Sequence, residues 1–279
     1  MSRLLRIAAI ALGLLAAWEV LVRATGVPPF ILPGPSAVAA ALVDRPGVLL
    51  RHGAITGLEI VLGLLLGTLL GGASALAMAA FRPVRRWLMP VLVISQALPV
   101  FALAPVLVLW LGYGLGSKVA MATLIIFFPV ASALHDGLRR TDPAWLDLAR
   151  TLGADRRATL LQIRLPAALP AFGSGLRVAA AVAPIGAVVG EWVGASQGLG
   201  YLMLQANARM QVDRMFAGLL VLAVLSVGLF FLVDAAVRRL TRWDADSDAE
   251  ADVTPPASEP ASPHHHRATS PPKRQGETP

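Results

Sequence analysis

The sequence predicts an all-α protein: a polytopic membrane helical bundle of six transmembrane helices, with a long cytoplasmic loop between spans 4 and 5. Three observations predict it. Of 279 residues, 56% are hydrophobic and only 15% charged, against about 25% charged in soluble domains. The apolar residues gather into runs able to cross ~30 Å of hydrocarbon at ~1.5 Å per residue. Lys and Arg concentrate in alternate loops. The chain has no cysteine, which excludes a disulfide framework or a thiolate metal site. A net charge of +7 would suggest nucleic acid in a soluble chain. Here the basic residues belong to loops, and no nucleic-acid partner is expected.

The elements follow in order. Arg3 and Arg6 precede an apolar run over residues 7–22. No convincing small-x-small cleavage site follows, and Trp18 with Glu19 suits an interfacial helix end, so an uncleaved first span is expected. Pro28, Pro29, Pro33 and Pro35 then break the chain. Ser36 is the expected cap of a short amphipathic helix on the outer surface. The second span covers 54–80, with Gly63, Gly67 and Gly71 four apart on one face. That stripe admits a close neighbouring helix, or alternatively borders a substrate site.

A short loop with Arg82, Arg85 and Arg86 leads to the third span, 88–111, interrupted by Pro90, Pro99 and Pro105. Kinks there are tolerated where neighbours or water satisfy the freed carbonyls. The turn GYGLGS precedes the fourth span, 118–134, which contains Pro129. The fifth span is expected over 171–193, a polar connection over 194–214, and the sixth span over 215–237.

Counting Lys and Arg gives orientation. The N-terminus and the segments 81–87, 135–170 and 238–242 carry fourteen, whereas the alternate side carries six: Arg23, Arg45, Arg51, Lys118, Arg209 and Arg214. The excess belongs inside, so both termini and the long loop between spans 4 and 5 are expected in the cytoplasm. Residues 1–243 form one membrane domain on this reading. Residues 244–279, rich in Pro, Ser and charge without apolar periodicity, are expected to be a disordered cytoplasmic tail. Its His264–His266 run is read as incidental, with weak metal binding as the alternative.

The long loop, DPAWLDLARTLGADRRATLLQIRLP over 142–166, is the distinctive stretch. Asp142 can cap a helix with Pro143 in its first turn. Trp145, Leu148, Ala149 and Leu152 line one face, and Gly153 can end the helix in the left-handed conformation. Asp155 can cap a second short helix bearing Arg156 and Arg157, which Pro166 is expected to close. Two short helices at a glycine elbow, with an apolar edge and a basic rim, suit capture by another protein.

Catalytic motifs are missing from the sequence. GYGLGSK at 112–118 lacks the spacing of a phosphate loop, and there is no H-E-x-x-H, no G-x-S-x-G and no clustered His and carboxylate set. No enzyme activity, bound cofactor or metal site is therefore expected in this chain. Glu191, beside Trp192, is the notable charge within a span, at about 2.5–3.5 kcal/mol on insertion scales. It is either a polar wall or gate of a translocation path or an interfacial helix end. Trp192, and Ser95 and Gln96 with the Pro99 kink that follows them, are further path candidates. Tyr201, Gln205 and Asn207 either meet a delivery protein or are solvated. Asp234 and Arg238 are expected to pair at i,i+4. Glu59 is expected near the start of its span, and Arg177 to snorkel to the inner interface.

The loop resembles the EAA loop of permease subunits in ABC-type importers. Asp147, Leu148 and Ala149 take the acidic-Ala-Ala places, Gly153 follows four later, and Ile163-Arg164-Leu165-Pro166 matches I-x-L-P. Asp for Glu shortens a charged reach, and Leu for Ala widens the apolar edge. The resemblance covers about 1–243, and FILPGPSAV, ALAPVLVLWLGYGLGSK and GEWVGASQGLGYLM are similar to the sulfonate, taurine, nitrate and thiamine-precursor branch. Other segments resemble the hydroxymethylpyrimidine importer. The resemblance implies a permease homodimer in a prokaryotic cytoplasmic membrane, two ATPase subunits that bind ATP and Mg, and an extracytoplasmic substrate-binding protein. It implies that the loop couples to the ATPase. The cargo it implies is hydroxymethylpyrimidine or a related thiamine precursor, with a sulfonate, taurine or nitrate permease as the rival. An ion-coupled secondary transporter and a membrane-embedded enzyme are the alternatives from other classes, but neither an internal repeat nor a convergent catalytic set is visible.

Overall fold

The computed structural model describes residues 3–243, all helix and connecting loop. The expected tail, 244–279, and its His264–His266 run lie outside the described residues. The helices are α1 (Arg3–Thr25), α2 (Pro35–Asp44), α3 (Pro46–Ala80), α4 (Arg82–Ala97), α5 (Val100–Leu111) and α6 (Leu115–Arg139). They continue with α7 (Pro143–Thr151), α8 (Arg156–Ala158), a π-helical turn (Thr159–Arg164), α9 (Leu165–Gly194), α10 (Leu199–Ala208) and α11 (Val212–Leu240).

Among the described residues four helical segments are long and apolar enough to cross a membrane: Pro46–Ala80, Leu115–Arg139, Arg156–Gly194 and Val212–Leu240. Each overruns its expected span, because residues flanking an apolar run keep helical hydrogen bonds beyond the hydrocarbon. The first expected span is the 23-residue helix α1, ~34 Å long. The third departs from expectation. It is two helices of 16 and 12 residues, parted where Leu98 and Pro99 turn extended, with ψ of 127° and 120°. Pro99 disfavours the helical conformation in the residue before it, and the chain breaks instead of kinking.

The core is built from α3, α6 and α9. Ile60, Leu64, Ala122, Ile126, Val130, Ala179, Ala183 and Ala187 form its main cluster. The glycine stripe of α3 faces α6: a Cβ on Gly67 would stand 2.6 Å from Ile126 Cγ2. Gly186 of α9 presses as closely on the Ala122 backbone, where a Cβ would stand 2.6 Å from Cα. Small residues thus bring three helices to near backbone contact, which is how apolar helices associate without a solvent-driven force. The outward faces carry exposed Leu65, Leu69, Leu70, Val224, Phe231 and Leu232, as lipid-facing or partner-facing surfaces require.

Several local expectations are corrected. Pro166 does not close a helix. It lies in the first turn of α9, and α8, the π-turn and α9 form one uninterrupted run. The Leu165 amide bonds the Leu160 carbonyl five residues back, and this wider turn relieves the contact a proline ring makes with the preceding turn. Ser36 is not the cap of α2. Gly34 is, with Pro35 at the first position, and the Ser36 amide and hydroxyl both donate to Glu19, at 3.1 and 2.9 Å. Glu59 is well inside α3, because that helix begins at Pro46 and not at 54. Arg177 donates to Asp234 at 2.8 Å, across to α11, and Asp234 also holds Arg238 at 2.5 Å as the i,i+4 spacing predicts. The connection 194–214 contains α10, whose Leu199, Gly200, Met203 and Ala206 are buried.

Candidate functional site

Two polar regions stand out, one at each end of α9. The first is the loop between α6 and α9. Asp142 Oδ1 accepts from the Ala144 amide at 2.8 Å, and Pro143 needs no partner at the first helical position. At the other end of α7 the Ala154 amide reaches the Ala149 carbonyl at 2.9 Å and the Gly153 amide reaches Arg150 at 3.0 Å. With Gly153 at φ +76°, this is the glycine-terminated Schellman pattern. Asp155 Oδ1 then accepts from the Ala158 amide at 2.7 Å, restarting the helix.

This loop leaves an apolar edge uncovered. Trp145, Leu148 and Leu152 are 55%, 60% and 77% exposed, whereas Ala149 is buried. Asp147 is exposed and held by Arg150 at 2.6 Å within α7. Ile163, Leu165 and Pro166 are half-buried, with Leu165 packed on the cluster of Ala75, Leu134, Leu138 and Ala168. The apolar edge therefore runs along α7 to its cap Leu152, Leu161 of the π-turn is exposed as well, and Leu165 of the I-x-L-P segment packs the loop against the bundle. Trp145, Leu148 and Leu152 together leave a contiguous apolar patch exposed along one short helix and its cap.

The second region is at the far end of α9. Glu191 is 1% exposed. Its Oε1 accepts from the Thr56 hydroxyl at 2.6 Å, and its Oε2 accepts from the amides of Gly200 and Tyr201 at 2.5 and 3.3 Å. Thr56 Oγ1 in turn accepts from the Leu199 amide at 2.8 Å, and His52 Nδ1 from the Gly198 amide at 2.9 Å. The His52 and Tyr201 rings stack at 6.4 Å. One turn on from Thr56, the Glu59 carboxylate, fully buried, bonds Lys118 Nζ of α6 at 2.8 Å.

Of the other path candidates, Trp192 is 45% exposed and meets Phe101 of α5 at 6.3 Å. Both border an apolar cavity of about 400 Å³, with Pro184, Ile185, Leu222 and Ser226. Ser95 spends its hydroxyl on the Leu92 carbonyl at 2.7 Å. Pro99 is exposed at the start of α5, and the Gln96 side chain lies outside the described residues. The structure thus brings Trp192 and Phe101 of α5 to one cavity, whose lining does not include Glu191. Gln205 borders a separate pocket of about 200 Å³ ringed by Arg45, Arg209 and Arg214, and Asn207 is exposed.

Sequence reasoning missed His52, Thr56 and the pairing of Glu59 with Lys118. A signal existed: Glu59 stands inside an apolar helix, where an acid needs a partner. Its partner is 59 residues away, and no local spacing rule connects them.

The family described as binding-protein-dependent transport system inner membrane component matches residues 63–242. A probable ABC transporter permease protein of Haemophilus influenzae is 56% identical over 226 residues, 81% of this chain and 92% of that one. The formylaminopyrimidine transport permease protein ThiX of Halalkalibacterium halodurans is 37% identical, over 83% of this chain and 93% of that one. Among solved structures, a chain of the MetNI methionine ABC transporter in inward-facing conformations matches with a TM-score of 0.61 at 20% identity, covering 71% of this chain and 99% of that one. That last likeness concerns the fold.

Proposed function

Because this chain belongs to the binding-protein-dependent transport inner-membrane family, the permease subunits of ABC importers, we propose that its exposed α7 loop is the surface an ATPase subunit grips. The observation that carries this reading is the uncovered edge of Trp145, Leu148 and Leu152 on a helix fixed at both ends by Asp142 and Gly153. Asp147 and Ala149 hold the matching motif places, and Ile163, Leu165 and Pro166 secure the loop to α9. A partner can shift the permease only by binding its two arrangements differently. An ATPase dimer closing on ATP would do so by drawing two such loops together.

In this reading α1 and the α4–α5 pair complete six crossings, both termini and the α7 loop face the cytoplasm, and two copies of the chain form the pathway. Two ATPase subunits hydrolyse ATP, and an external binding protein delivers the cargo. The path runs past Trp192, Pro99, Ser95 and Gln96, with Glu191 shaping its wall.

The cargo proposed is hydroxymethylpyrimidine or a related thiamine precursor. Two features support a flat, neutral ring: the Phe101–Trp192 pair on an apolar cavity without a basic residue in its lining, and the pyrimidine named for the ThiX relative. Aromatic faces stack well on heteroaromatic rings. The test is ATP-dependent uptake into proteoliposomes holding the complete importer, comparing labelled hydroxymethylpyrimidine with taurine and nitrate. Accumulation of taurine or nitrate instead reassigns the cargo to the anionic branch. Accumulation driven by an ion gradient without ATP overturns the importer reading itself.

A further inference from the structure

The first four amides of a helix have no partner within it, and α10 has no local side chain to cap them. They are satisfied from two other helices. Gly198 donates to His52 and Leu199 to Thr56, both on α3, while Gly200 and Tyr201 donate to Glu191 on α9. The Thr56 hydroxyl and the Gly200 and Tyr201 amides all donate to the Glu191 carboxyl, which lies at the N-terminal end of α10 beside a second acidic side chain, Glu59 of α3. The fit is close: a Cβ on Gly200 would stand 2.8 Å from Glu191 Oε2.

The helix that carries Glu191 begins in the loop assigned to ATPase contact. Arg156–Gly194 is a single 39-residue run, ~58 Å at 1.5 Å per residue. Its π-turn at Thr159–Arg164 widens the helix without ending it. One end is therefore covalently tied to the α7 elbow, and the other is hydrogen-bonded to α10.

We infer that Glu191 is a positioning residue that fastens α10 to the ends of α3 and α9, so that displacement of the α7 loop reaches α10 as a rigid-body motion. The inference rests on the ATPase-coupling reading and extends it to the opposite membrane face. Asn207, exposed in the last turn of α10, is where the motion is delivered. The Glu59–Lys118 pair one turn away keeps α6 in the same block.

The chain lacks cysteine, so Asn207→Cys provides one attachment point for a spin label in each copy of the chain. In the importer purified with its ATPase, adding ATP, Mg and vanadate is expected to change the label spectrum. Glu191→Ala is expected to lose that change while ATP hydrolysis persists. Glu191→Gln is expected to keep it. Its amide oxygen still accepts from Gly200 and Tyr201, and its NH₂ donates to a Thr56 hydroxyl turned toward the His52 carbonyl, already 3.2 Å away. Thr56→Val, which removes the acceptor of the Leu199 amide, repeats the loss and serves where Glu191→Ala fails to fold. A spectral change that survives in Glu191→Ala and Thr56→Val overturns the fastening role alone, as does equal loss in Glu191→Gln. No response to ATP in the chain with native Glu191 overturns both the inference and the coupling reading beneath it.

Discussion

The two ends of α9 solve the same problem in opposite ways. Both interrupt an apolar chain with polar and aromatic residues. At the α7 end these residues are capped within the loop, and Trp145, Leu148 and Leu152 are left facing outward. At the α10 end Thr56, Glu59 and Glu191 are each at most 1% exposed, and four successive amides are satisfied from other helices. The difference teaches where each end keeps its unmet demand. The α7 loop is finished as a piece of backbone and unfinished as a surface. The α10 junction is finished on both counts, apart from Glu59 Oε2, which accepts no hydrogen bond among the described residues.

Substitutions at the two ends should therefore fall into different classes, ordered here by their effect on the folded chain. Lys118→Met strands the buried Glu59 carboxylate and should destabilise the chain by about 3–5 kcal/mol, read as an earlier unfolding transition in detergent. Adding Glu59→Leu should recover most of that loss, because a buried pair contributes little beyond an apolar pair of similar size. An unchanged transition in the single variant would mean that the junction is open to water, and the contrast between the ends would fail.

Gly153→Val comes next. No described residue lies within 4 Å of a Cβ there, so the cost is the left-handed backbone at φ +76°, about 1–2 kcal/mol. The chain should still insert, but with α7 tilted on its elbow, and ATP hydrolysis should run without uptake. Normal uptake would count against the elbow as a coupling part. Asp142→Ala removes the cap of α7, about 1 kcal/mol, and should show as faster hydrogen exchange confined to Ala144–Leu146. Exchange spreading into α6 or α9 would show that the loop is not an independent unit. Smallest for the fold is Trp145→Ser with Leu148→Ser, within about 0.5 kcal/mol because both are exposed. The same variant should lose the ATPase on co-purification, and retention would move the docking surface elsewhere.

The sequence makes the α7 end readable and the α10 end nearly opaque, for a physical reason. Caps and glycine terminators act over three to five residues, so Asp142, Gly153 and Asp155 announce themselves locally. The spans are legible for the same reason, since hydrocarbon thickness imposes a length on a contiguous run. Pro166 misleads because a proline read alone signals an end. Only the Leu165–Leu160 hydrogen bond reveals the wider turn that lets the helix continue. The junction of Glu191 with Thr56 spans 135 positions, and that of Lys118 with Glu59 spans 59. Such pairs are set by helix packing, which depends on glycine approaches such as Gly67 on Ile126 that no single segment specifies.

The unbroken run from Arg156 to Gly194 makes counting as important as chemistry. One residue added between the π-turn and Glu191 would rotate everything beyond it by ~100°, turning the carboxylate away from its donors without changing a single side chain. The turns at 26–34 can lengthen by a residue with no such penalty. Insertions and deletions should therefore be the harshest lesions in this stretch, and register along it should be inherited as strictly as any functional side chain.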